Sequence, residues 1–168
     1  MANILENTVN VITPEVIQKH WQGHRDLSRR ILDQFPEKEL FEFSIGGMRT
    51  YAQLALEMID LAAGGAKGLA TGDWSIPGGP KHNNTDHGIT TKAELLEQWD
   101  KVTADIDQYF PQIAPTRWQE KEAAFGQYEN TGIGTLLYLI DNEIHHRGQG
   151  YVYLRALGIE PTPFWARY

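Results

Sequence analysis

Four long stretches of this chain repeat their apolar residues at steps of three and four, and that period is the strongest constraint on its fold. The first opens at Thr13-Pro14-Glu15, a cap followed by proline at the first helical position, and stops near Pro36. Ile17, Trp21, His24, Leu27, Ser28 and Ile31 share one of its faces. The second follows Gly46-Gly47, with Met48, Tyr51, Ala55, Met58, Ile59 and Ala62 in its stripe, and Gly64-Gly65 is expected to weaken its end. The third follows Thr90-Thr91, where Glu94 stands three residues beyond Thr91 as in a capping box. Leu95, Leu96, Trp99, Val102, Ile106 and Tyr109 line it, and Pro111 ends it. The fourth runs from about Thr131 to Leu157 through Leu136, Leu139, Ile140, Ile144, Tyr151 and Leu154, with Gly158 as its C-terminal stop. Four such stripes with two long connections predict an all-α four-helix bundle.

The first long connection, "TGDWSIPGGPKHNNTDHGITT", is a loop over roughly 72–90, long enough to be functional and able to cover one end of a bundle. The second spans 111–130, where "TRWQEKEAAF" is expected to hold a helical turn. A chain of 168 residues is read as one domain, 1–168, burying roughly 70% of its unfolded surface. The absence of cysteine removes disulfides, thiolate metal sites and a cysteine nucleophile. The net charge of −7 and the lack of a basic run count against nucleic acid as a partner. "MANILENTVNVITPEVI" has neither a charged start nor a long apolar run, so no signal peptide is expected, nor any membrane span. The chain is therefore expected in the cytoplasm.

Polar residues on the apolar stripes point to the chemistry. At roughly 100° per residue, Asn142, His146 and Gln149 share a face of the fourth helix, continuous with Leu139 and Tyr153, so His146 is the inward histidine. His145 falls at a seam or on the surface. His20 and His24, at i and i+4, have a chelating spacing, with His24 on the inward stripe. Glu57 lies among Leu54, Ala55, Met58 and Leu61, a costly place for a carboxylate unless it is paired or bound to a cation. Arg49, two turns earlier, is the alternative partner. His24, Glu57 and His146 together make a two-histidine, one-carboxylate set from three helices, with Asn142 as a further oxygen ligand or water-orienting group. A ferritin-like di-iron site needs two Glu-x-x-His motifs, and only Glu143–His146 exists. No P-loop or G-x-S-x-G is present. His82 and His87 are read as solvated loop residues.

"NEIHHRGQGYVYLRALGIEP", residues 142–161, closely resembles the last-helix signature of the DinB/YfiT-like superfamily, the DNA-damage-inducible-type metalloenzymes. "GMRTYAQLALEMID" is similar to that family's second helix. The resemblance implies an up-down-down-up bundle, commonly a homodimer, holding one divalent metal through three histidines. One of these is on the second helix and two are at i and i+4 on the fourth. It also implies thiol transfer with low-molecular-weight thiols, hydrolysis or isomerisation as candidate activities. His146 matches the last ligand, whereas Asn142 and Glu57 stand at the other two positions. Two outcomes follow: a site rebuilt around Glu57, His146, His24 and Asn142 for zinc, nickel or iron, or a bundle that has lost the metal and binds a small molecule in a pocket lined by Trp21, Trp74, Trp99 and tyrosines.

Overall fold

The computed structural model describes residues 12–84 and 86–167. The expectation about a signal peptide falls mostly on residues outside these. The elements are α1 (Pro14–Gln34), a short α2 (Glu37–Glu42), α3 (Tyr51–Thr71), α4 (Lys92–Tyr109), strands β1 (Lys121–Ala124) and β2 (Tyr128–Thr131), and α5 (Gly132–Ala156). Each long helix starts on a threonine whose hydroxyl accepts from the first turn: Thr13, Thr50, Thr91 and Thr131. Thr91 and Glu94 form the expected capping box. Thr50 and Gln53 form a second one, which moves the start of α3 past Met48 to Tyr51.

Side-chain bonds between helices fix the topology. Gln18 reaches Asp107, Arg29 reaches Asp100, and Lys92 reaches the carbonyls of Asp33 and Phe35, so α1 and α4 are antiparallel. Arg25 meets Glu143, and Gln34 meets the carbonyl of Glu160, so α1 and α5 run parallel. Glu57 meets His146, and Arg49 accepts from Tyr153, so α3 and α5 are antiparallel. The order is therefore up-down-down-up, with α1 and α3 both flanked by α4 and α5. One contiguous core joins all four helices, including Trp21, Leu56, Trp99, Ile106 and Leu136. Among the described residues no helix is long and apolar enough to cross a membrane.

Several details differ from the sequence reading. The glycines at 64 and 65 do not weaken α3, which continues to Thr71. They are contact points instead: a Cβ on Gly65 would lie 2.3 Å from Leu139 Cδ1, and one on Gly64 would lie 2.6 Å from Phe125. Residues 111–130 hold two 3-10 turns, Phe110–Gln112 and Pro115–Trp118, and then an antiparallel hairpin that pairs Lys121 with Thr131 and Ala124 with Tyr128. Phe125 and Gly126 turn it with φ of 54° and 72°. Met48 and Ile144, placed on inward stripes, are exposed. Trp21 and Trp99 are core residues at 0% and 1% exposure, so they line no pocket opening to solvent.

Candidate functional site

Helices α3 and α5 lie close enough for their polar residues to meet because glycine stands at both contact levels: Gly65 against Leu139, and Gly150 against Tyr51. Between these levels, α3 presents Glu57 and α5 presents Asn142 and, one turn on, His146. Glu57 Oε1 accepts from Asn142 Nδ2 at 3.0 Å and lies 3.0 Å from His146 Nε2. Its other oxygen, Oε2, accepts from Arg49 Nη2 at 2.5 Å. On the far side of the imidazole, His146 Nδ1 lies 2.7 Å from Gln149 Oε1. A carboxylate and an amide oxygen only accept, so a ring between the two either donates from both nitrogens or leaves Nε2 free for a cation. The hydrogen bond from His146 does most to hold the Glu57 carboxyl well below the usual carboxylate range. Burial opposes it, and the bonds from Arg49 and Asn142 reinforce it. Glu57 keeps 17% of its side chain exposed and lines a cavity of about 290 Å³ between α3, α5 and the hairpin. The walls of that cavity include Leu61, Phe125, Tyr128 and Tyr138.

His24 is bonded elsewhere. Its Nδ1 lies 3.0 Å from Arg147 Nη2, and its Nε2 lies 2.9 Å from Arg167 Nη1 and 3.1 Å from His20 Nε2. Burial, and then Arg147, His20 and Arg167, push its pKa down to about 3. A neutral imidazole between guanidinium groups is a poor place for a metal ion. Among the described residues no three His, Cys, Asp or Glu side chains converge as a metal site. Of the residues singled out in the sequence, Glu57, His146 and Asn142 meet, whereas His24 bonds within a separate network. His145 is exposed, as the helical geometry requires.

That network was legible in the stripes only through His24 and Ser28, on the inward face of the first helix. Arg25 is fully buried, with Nη1 3.4 Å from Glu143 Oε2, Nη2 donating to the Trp99 carbonyl at 3.2 Å and Nε donating to Thr103 Oγ1 at 3.0 Å. Its guanidinium carbon lies 3.8 Å from the Trp99 ring centroid. Ser28 donates to Glu143 Oε1 at 2.9 Å, and Arg147 donates to the His24 carbonyl and to Ser28 Oγ at 3.2 Å each. A further signal was that Glu143 lies one turn from the inward His146. His82, read as solvated, is held by buried Asp60.

The chain matches the family model described as the DinB family over residues 6–167. The chain belongs to the DinB family. Its fold is similar to a DinB-like protein from Bacillus cereus ATCC 10987, at 17% identity and a TM-score of 0.67, covering 89% of this chain and 95% of that one. It is equally similar to a DinB-like protein from Bacillus subtilis, at 19% identity and a TM-score of 0.66, covering 89% of this chain and 96% of that one. No curated protein matches this DinB member.

Proposed function

We propose that this DinB-family protein is a divalent-metal-dependent enzyme acting on a small molecule in the cavity beside Glu57, with Glu57, Asn142 and His146 as the residues that would hold the ion. The observation that carries this reading is the pairing of donors with supports. Glu57 Oε1 and His146 Nε2 stand 3.0 Å apart, a separation suited to two neighbouring ligands each about 2.0–2.1 Å from one ion. Each donor is also fixed from behind, Glu57 by Arg49 and His146 by Gln149, as ligating carboxylates and imidazoles usually are. Turning the Asn142 amide would present its oxygen beside them. A carboxylate, an imidazole and an amide oxygen without thiolate suit zinc, nickel or iron(II). Such an ion supplies Lewis acidity toward a carbonyl or phosphoryl oxygen, or lowers the pKa of a bound water or thiol. The chain's own contribution is to fix the donors and to line the cavity with aromatic side chains. The family resemblance supports a cytoplasmic homodimer with a hydrolase or thiol-transferase activity; sedimentation should give twice the chain mass.

One observation favours the second reading, a bundle that binds a small molecule without metal. Arg49 at 2.5 Å already neutralises Glu57. Elemental analysis of tag-free protein, beside His146→Ala and Glu57→Ala, separates the two. About one equivalent of metal in the parent, lost in both variants, supports the metal enzyme. Hydrolysis screens and thiol-transfer screens with a low-molecular-weight thiol then identify the reaction. No metal after incubation with zinc, nickel and iron(II) salts overturns the metal reading and leaves the binding bundle.

A further inference from the structure

Asp60 follows Glu57 by three residues on α3 and is 3% exposed. Its Oδ2 accepts the backbone N–H of Lys81 at 2.6 Å, the backbone N–H of His82 at 3.0 Å and His82 Nδ1 at 2.8 Å. Three bonds onto one oxygen fasten the long loop and orient the imidazole together. A carboxylate only accepts, so Nδ1 carries the proton and Nε2 presents a lone pair. No bond to Nε2 is formed by the described residues, and the His82 side chain is 14% exposed. His82 lines the same cavity of about 290 Å³ as Glu57, with Phe125, Tyr128 and Tyr138 around it. A purely mechanical fastening of the loop needs the two backbone bonds; it does not need an imidazole set at the cavity wall.

We propose that His82 is a catalytic base that activates water toward an ester carrying an aromatic or apolar group, bound in this cavity, and that Asp60 is its positioning residue. The proposal shares its cavity with the metal reading above but needs no metal. A bound water donates its proton to His82 Nε2 as its oxygen bonds to the acyl carbon of an ester, and the ester C–O bond to the alcohol or phenol breaks. The imidazolium formed is stabilised by Asp60 through Nδ1–H, and later returns the proton to solvent or to the leaving group.

The test uses p-nitrophenyl acetate with full-length protein kept in chelator. Water loses a proton to Nε2, its oxygen bonds to the acetyl carbon, the ester C–O bond breaks, and acetate and p-nitrophenolate leave. The expected result is saturable hydrolysis faster than an equal concentration of 4-methylimidazole. His82→Asn places an amide N–H where Nδ1–H stood, so it keeps the loop bonded while removing Nε2; it is expected to lose roughly 100-fold in rate with its melting temperature unchanged. Asp60→Asn keeps an oxygen for the two backbone amides and removes the charge; it should lower kcat at unchanged KM, whereas a merely structural role would raise KM and lower the melting temperature. Hydrolysis no faster than 4-methylimidazole, or a His82→Asn protein with parental activity, overturns the proposal. Should His82→Asn fail to fold, diethyl pyrocarbonate labelling of the parent decides. Hydrolysis must fall in proportion to His82 modification and return with hydroxylamine; hydrolysis that survives complete modification of His82 overturns the proposal. Because the ion is chelated throughout, a failed metal reading leaves these outcomes untouched.

Discussion

Replacing Glu143 with leucine should destabilise the bundle more than any substitution in the Glu57 cluster. Glu143 is 2% exposed and is the carboxylate that Arg25, at 0%, faces across the α1–α5 seam. Leucine is close to glutamate in size, so little cavity is created and the loss is electrostatic. Removing one member of a buried ion pair generally costs about 3–5 kcal/mol, because the remaining charge is left uncompensated. Arg25 retains Thr103 and the Trp99 carbonyl and ring, which places the expected loss near 3 kcal/mol. Ser28 is not orphaned, since its one hydroxyl proton can turn from Glu143 to the His24 carbonyl, 3.0 Å away. In a protein of this length, about 3 kcal/mol lowers the melting temperature by roughly 6–12 °C. Urea denaturation and calorimetry measure the single variant beside Arg25→Met/Glu143→Leu. The double variant removes the stranded guanidinium, and Thr103 Oγ1 still donates to the Trp99 carbonyl. It should therefore recover about half of the loss, while Arg147, which also faces Glu143, keeps the rest from returning. A single variant within about 1 kcal/mol of the parent, or a double variant less stable than the single, refutes the reasoning.

Three further outcomes are expected. Folding depresses the pKa of His24 from 6.5 to about 3, so the unfolded chain binds more protons between those values; stability should fall as pH drops through this window, and His24→Asn should flatten that slope in urea titrations. Glu57 is lowered from 4.5, so its contribution is present above pH 4.5 and lost below it; Glu57→Gln should be less sensitive than the parent to acid below that pH, seen by circular dichroism. Gly65→Ala pushes a methyl against Leu139 and should cost about 1–3 kcal/mol in denaturant unfolding, with a gain in stability refuting the close approach of α3 and α5.

The bundle was legible because its long helices carry their own boundaries. Thr13, Thr91, Thr131 and Gly158 are local signals that act before any tertiary contact forms. The hairpin was not, because "KEAA" and "YENT" have weak strand patterns; its turn residue Phe125 packs against Trp74, the two rings 5.7 Å apart. In the site, helical spacing was enough to turn His146 inward beside Asn142, and the apolar context of Glu57 was enough to demand a partner. Periodicity could not tell which inward histidine faced which neighbour. His24 and His146 both point inward, yet one meets Arg147 and the other meets Glu57. That choice depends on how far one helix is shifted along another, which no single helix encodes. Likewise nothing local in "PKHNN" announces that Asp60, 22 residues earlier, will hold His82.

The up-down-down-up order also shapes how the protein comes into being on the ribosome. The chain emerges from its N-terminal end, so α1, α3 and α4 are made while the partner of Arg25 is still unmade. Until α5 appears, Arg25 has no Glu143 to face, and Glu57 has neither Asn142 nor His146. The last helix therefore acts as a checkpoint: it brings Glu143 to Arg25, and Asn142 and His146 to Glu57, in one step, so that a chain arrested before residue 142 lacks all three contacts.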